Sequence, residues 1–264
     1  MSLRYINKKR KTALTNINDL VNNPNNCLLI HYSCESFYNI TNGRTPRITS
    51  IAVRYFSTAQ GKSFTIHRTA EIKNIPFNKI QEHYDEIERE MLKDFFQFVG
   101  NHKSYNWVHW NMRDFNYGFE AIENRYRVLG GRPKVIDDQN KFDLARILID
   151  IYGTRYAGHP RLENLIDKNG ISKRDFLQGK DEAEAFDNKD YVKLHLSTLK
   201  KVDVIHSILI KLGEGKLKTN SKWYEPFGLS AQGVYEGIKD HWIYALINLI
   251  VGALLGVIAT KLFF

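Results

Sequence analysis

The sequence predicts an α/β layered domain with a mixed sheet flanked by helices, followed by one C-terminal transmembrane helix. Three observations carry this expectation. Apolar, β-branched runs follow one another between residues 27 and 67. Beyond residue 77, amphipathic helical stretches alternate with shorter strand-like ones, the pattern of layered α/β domains. Residues 241–264 are almost wholly apolar or aromatic apart from Asn248, Thr260 and Lys261. At about 1.5 Å per residue that last segment spans roughly 36 Å, enough for a hydrocarbon core of about 30 Å.

Residues 1–26 read as a basic lead-in with a short helical stretch around Asn16 to Val21, broken by NNPNN. CLLIHY, from Cys27 to Tyr32, reads as a buried strand, and ITSIAVRYF (48–56) and KSFTIH (62–67) as two more, the last pair joined by a turn at Ala59 to Gly61. From Phe77 to Val99, Ile80, Tyr84, Ile87, Met91, Phe95 and Phe98 recur at helical steps between charged residues, which predicts an amphipathic helix. A short strand is expected at 107–110. Phe115, Phe119, Ile122, Tyr126 and Leu129 mark a second helix stopped by Gly130 and Gly131. A strand at 134–136 and helices over 142–151, 161–168 and 190–212 complete a domain of residues 27–212. Residues 213–240 read as a juxtamembrane linker.

The formal charge is +9, with Lys8, Lys9, Arg10 and Lys11 near the start and Lys211, Lys216, Lys218, Lys222 and Lys239 ahead of the apolar tail. Such charge suits anionic lipid and nucleic acid alike. The positive-inside rule places the large domain in the cytoplasm and the tail in the inner membrane as a single pass. The first residues lack the apolar core of a cleavable signal. Two cysteines, Cys27 and Cys34, fit a reducing compartment better than a disulfide framework. No P-loop, nucleophile elbow, His-x-x-x-His or zinc pattern is present.

Inside the apolar tail, Tyr244, Asn248, Gly252, Gly256 and Thr260 fall at four-residue intervals and share one helical stripe. A Gly-x-x-x-Gly pair permits close helix approach, and an asparagine in lipid seeks a hydrogen bond from another helix, so Asn248, Gly252, Gly256 and Thr260 predict self-association.

Particular residues at element ends resemble the exonuclease branch of the ribonuclease-H-like fold. LLIHYSCESF places Glu35 at the glutamate of that family's Asp-x-Glu pair, with Ser33 where the aspartate belongs. HWNMRD matches the second motif at His109 and Asp114, RLENLIDKNGI is similar to the helix and glycine before the third, and Asp203 matches the last aspartate, with Thr198 at the histidine position. The resemblance implies a mixed sheet and a site in which Glu35, Asp114 and Asp203 are catalytic residues and ligands of Mg²⁺ or Mn²⁺, the family's carboxylates holding two cations about 4 Å apart. With one carboxylate replaced by Ser33, it implies a degenerate, pseudoenzyme-like site and no cofactor unless activity survives. Asp114 also stands where it can cap the following helix. The aromatic residues and arginines around the second motif, with His109, Arg113, Arg125 and Arg127 as candidate ligand-binding residues, suit stacking and phosphate pairing with nucleic acid or a nucleotide.

The combination looks like a bacterial membrane effector of antiviral defence. Its cytoplasmic domain would sense a partner protein or nucleic-acid ligand, and its clustered helices would perturb the membrane lipid. The alternatives are a membrane-tethered, metal-dependent 3′–5′ exonuclease and a non-catalytic membrane-recruitment adaptor.

Overall fold

The computed structural model describes residues 3–36, 40, 44–114, 116–222 and 225. At its centre a mixed five-stranded sheet has the order β3-β2-β1-β4-β5. Strands β1 (Cys27–Cys34), β2 (Ile48–Tyr55) and β3 (Gly61–Thr65) form an antiparallel meander. Strands β4 (Asn106–His109) and β5 (Lys141–Asp143) add in parallel on the other side of β1. Parallel pairing needs a crossover, and helix α3 (Tyr84–Asn101), reached through α2 (Ile66–Ile72), supplies it between β3 and β4.

β1 is covered on both faces, which is why it reads as a continuous apolar run. Its alternating side chains sort into two cores. Leu28, Ile30 and Tyr32 join Trp107, Phe95, Leu92 and Ile122 beneath α3 and α4 (Phe119–Val128). Cys27 and Leu29 join Val108, Leu148, Ile205 and Leu209 beneath α5 (Leu144–Tyr152) and α8 (Tyr191–Gly213). A third cluster gathers Ile66, Ile80, Tyr84, Ile87, Phe186 and Leu194 where α2, α3, α7 (Gly179–Asp187) and α8 meet. Helix α6 (Arg161–Lys168) contributes Leu165 and Ile166 to the α5–α8 layer.

Several boundaries differ from those expected. The basic lead-in is a 20-residue helix, α1 (Leu3–Asn22), packed on α5 and α8. Ala13, Ile17 and Leu20, at steps of four and three, form the apolar stripe it buries beneath a charged outer face. Residues 134–136 form no strand. The fifth strand lies at Lys141–Asp143, in register with Trp107–His109, and its helix begins one residue later. The third predicted strand ends at Thr65, and α2 follows directly. Helix α7 has no counterpart in the expected order because only Ala185 and Phe186 on it are buried.

The start of the expected linker belongs to the domain. Leu217 is buried, the Lys218 amide donates to Asn169 Oδ1 (2.9 Å), and the Asn220 amide donates to the Tyr156 carbonyl (2.8 Å). No helix among the described residues is long and apolar enough to cross a membrane. The apolar tail, with Asn248, Gly252, Gly256 and Thr260, lies outside the described residues.

Candidate functional site

The C-terminal end of β1 opens into a pocket of about 600 Å³ bounded by α7, α8 and the loop carrying Tyr117, with His31, Ser33, Glu35, Tyr117, Glu182 and Lys201 on its walls. Alternation along β1 sends His31 and Ser33 to the same face as Cys27 and Leu29, the face covered by α8. The polar end of an otherwise apolar strand thereby meets a polar stretch of helix.

Ser33 Oγ lies 2.7 Å from Thr198 Oγ1, which lies 2.5 Å from Ser50 Oγ on β2 and 2.8 Å from the Leu194 carbonyl oxygen. Ser33 also donates to Glu182 Oε1 at 3.2 Å, and Ser197 donates to the same oxygen at 2.9 Å. The other oxygen, Glu182 Oε2, is 2.6 Å from Lys201 Nζ in a nearly buried ion pair. A chain of hydroxyls from β2, α8 and β1 therefore ends on a carboxylate that an ammonium neutralises.

Beside this network, Tyr117 stacks on Tyr32 with ring centres 4.6 Å apart, and its hydroxyl donates to the Tyr32 carbonyl at 3.0 Å. That hydrogen being used, the phenolic oxygen is left to accept from His31 Nε2, 3.4 Å away, a long contact. On this tautomer His31 Nδ1 is a bare acceptor, and it is buried with no hydrogen-bond partner. Burial first, then the charges of Lys201 and His109, push the His31 pKa well below the usual imidazole value. The pocket thus offers a carboxylate and an ammonium within apolar and aromatic walls, beside an imidazole nitrogen sealed from solvent.

The carboxylates singled out by the motif resemblance have separate partners. Glu35 accepts both guanidinium nitrogens of Arg44 at 2.5 Å and the Arg47 amide at 3.3 Å. Asp114 is exposed and turns back on its own loop to accept the Asn116 amide at 2.8 Å, an Asx turn rather than a helix cap. Asp203 pairs with Arg54 of β2 and with Lys200 (3.0 Å). Burial raises its pKa, but the hydrogen bonds from Lys200 and Arg54 outweigh this and hold the carboxyl below the usual range. Helix phase explains the separation: five residues are about 140° around the axis, so Thr198 rather than Asp203 faces Ser33.

These residues do not fit a two-cation centre. The inner positions are neutral hydroxyls, Lys201 brings positive charge to the same pocket, and Glu35 is already neutralised by Arg44. Among the described residues no three His, Cys, Asp or Glu side chains gather to hold a metal ion.

The candidate ligand-binding residues are also engaged within the protein. Arg125 is buried, contacting Glu88 at 2.5–3.0 Å and Asp85 at 2.7 Å, so its fork holds α4 to α3 and cannot serve a phosphate. Arg127 is half exposed and pairs with Glu123 at 3.1 Å. Arg113 pairs with Asp143, whose carboxylate also caps α5 by accepting the Ala145 amide at 3.1 Å and takes the Asn111 amide at 3.0 Å. His109 is buried at the end of β4 and accepts the Met112 amide at Nδ1 (3.1 Å), and burial lowers its pKa to about 4.

Sequence reasoning missed Glu182, Lys201 and Tyr117 in this pocket. Its available signal was the run His31-x-Ser33 inside a buried strand, polar side chains that must find partners on the covering helix. A larger groove of about 680 Å³ runs beside edge strand β3, with Lys62, Arg68 and Asp94 among its lining residues, but it lacks a comparable buried polar network. No known family, curated protein or solved structure matches this chain.

Proposed function

We propose that this chain is a membrane-anchored sensor whose cytoplasmic domain, ribonuclease-H-like in topology, binds a small polar or nucleotide-like ligand without hydrolysing nucleic acid. The observation that carries this reading is the network Ser50, Thr198, Ser33, Glu182 and Lys201. It fills with hydroxyls and an ion pair the place where the resemblance calls for a cluster of carboxylates. The mixed five-stranded sheet with helices on both faces gives the reading general support, being an architecture that the proposed topology shares with other α/β domains. The apolar stretch of residues 241–264 supports the membrane part of the proposal.

The pocket suits a ligand carrying both donors and acceptors. Glu182 takes a donor, and the Lys201 ammonium an acceptor or a negative group. Labelled single-stranded DNA and RNA incubated with the purified chain and Mg²⁺ or Mn²⁺ should remain intact. Metal-dependent shortening that Glu35→Ala abolishes would refute this and restore the exonuclease alternative. In parallel, a nucleotide panel tested by thermal shift should contain a stabilising ligand whose effect is lost in Lys201→Met. A panel with no stabilising member would remove the sensor reading and favour the adaptor.

A further inference from the structure

Helix α1 turns a face of one charge sign away from the domain. Ala13, Ile17 and Leu20 point into the α5–α8 core. At about 100° per residue, Lys8, Lys11 and Thr15 stand on the opposite side, and all three are exposed. Tyr5, Lys9 and Thr12 flank them along a cleft of about 260 Å³ between α1 and α5, with Lys9 Nζ 4.7 Å from the centre of the exposed Tyr5 ring. Elsewhere in the domain Lys73, Lys79, Lys93, Lys141, Lys173 and Lys201 each meet a carboxylate. Among the described residues none pairs with Lys8, Lys9 or Lys11. Asp150, the acid lining the cleft, is paired with Arg146 at 3.8 Å, and Asp19, the acid of α1 itself, lies two turns beyond Lys11. The face also lies on the flank from which the chain leaves the domain. Arg10 Nε donates to the Ile151 carbonyl at the end of α5 (3.3 Å), and the Asn220 amide binds the Tyr156 carbonyl five residues further on, a separation of at most about 17 Å along the backbone. At the other end of α1, Val21 packs over Gly213, the last residue of α8.

We propose that the outer face of α1 docks on the anionic headgroups of a lipid bilayer and lays this flank of the domain along the membrane. The inference rests on the anchored reading given above, because the apolar tail is what keeps the face within reach of lipid. Tethering makes a weak surface attraction effective, since the second contact becomes intramolecular. Ammonium groups without internal partners are free to meet headgroup phosphates, and attraction accumulates over each lysine close to an anionic surface. Lys8 and Lys11 extend their heads outward on long apolar stems, and Tyr5 places an aromatic body with a polar tip beside them, the residue type that collects at headgroup level. Single-stranded nucleic acid needs a free aromatic face for stacking beside its cations. Here the aromatic beside the lysines is Tyr5, whose face Lys9 already covers. That favours lipid as the occupant.

The full-length chain is reconstituted in nanodiscs of phosphatidylcholine, alone or mixed with phosphatidylglycerol, and its lysines are acylated with a water-soluble amine reagent and read by mass spectrometry. Acylation of Lys8 and Lys11 should slow by about threefold or more in the anionic discs, and high salt should reverse the effect. Lys62 on edge strand β3 and Lys93 on α3, across the sheet, should react equally in both. The double variant Lys8→Glu, Lys11→Glu should lose the lipid-dependent protection of Lys9. Circular dichroism checks its fold, and Lys8→Gln with Lys11→Gln replaces it if it fails. Equal reactivity of Lys8 and Lys11 in both kinds of disc, with the protein incorporated in each, would overturn the docking and leave the anchor standing. A chain that ignores neutral discs but binds anionic ones reversibly with salt, and only with Lys8 and Lys11 intact, would remove the anchor and keep the face; binding to neither would remove both. Protection in neutral discs by an added single-stranded RNA, equal to or greater than that by anionic lipid, would overturn the lipid assignment in favour of nucleic acid.

Discussion

Arg125 shows how far a residue's surroundings determine its role. Adjacent aromatics and arginines suggest nucleic-acid binding, yet the guanidinium is buried against a Glu88 carboxylate that has no solvent exposure and also takes the Ile48 amide at 2.7 Å. Burial raises the Glu88 pKa and Arg125 opposes that rise, so Glu88 depends on Arg125 to remain ionised. Removing only the cation should therefore be expensive. Arg125→Met should lower stability by about 3–5 kcal/mol, while adding Glu88→Met should recover a good part of it, as measured by urea denaturation of the four proteins in a double-mutant cycle. If both single variants unfold like wild type, the pair holds nothing together. The site was only partly legible at this scale for the same reason. Motif spacing selects Glu35, Asp114 and Asp203, but Arg44, the Asn116 amide and Arg54 decide what each carboxylate does, and those partners lie nine, two and 149 residues away.

Extended apolar patterns make β1, β2, α3 and α8 readable from sequence, because each buries a continuous face and the apolar spacing records it. Short elements left too few residues to reveal a period. β5 has three residues, and α7 buries one adjacent pair. Helix α1 was underestimated because its first half is dominated by Lys8, Lys9, Arg10 and Lys11, while its apolar stripe is confined to one side. Leu20 on that stripe is fully buried in the α5–α8 core, so Leu20→Ala should cost about 2–5 kcal/mol in thermal or urea unfolding. A loss below about 0.5 kcal/mol, as is usual for surface substitutions, would mean that α1 is an appendage and that the domain begins after it.

At the scale of the whole molecule, the expected assembly joins the α/β domain to an apolar C-terminal segment carrying the Asn248, Gly252, Gly256, Thr260 stripe. Expression of the full chain with its activating ligand should depolarise bacterial cells, read with a potential-sensitive dye. Gly252→Leu and Asn248→Leu should each abolish this while the protein stays in the membrane fraction and the α/β domain retains its unfolding midpoint. Undiminished depolarisation in both variants would leave self-association without support. Recovery of the wild-type chain in the detergent-free soluble fraction would remove the anchor altogether.

The segment after α8 adds a mechanical consequence. Lys218 exchanges two hydrogen bonds with the Asn169 side chain, and the Asn220 amide donates one to the Tyr156 carbonyl. Tension on residues 217–225 is thus shared by this small clasp at the end of α6 and the loop preceding it, by the Arg155–Glu225 ion pair and by the buried Leu217, and reaches α8 only after these let go. Three hydrogen bonds, one ion pair and one buried leucine form a weaker attachment than the packed helix α8, so load peels residues 217–225 from the domain's flank before it disturbs the sheet.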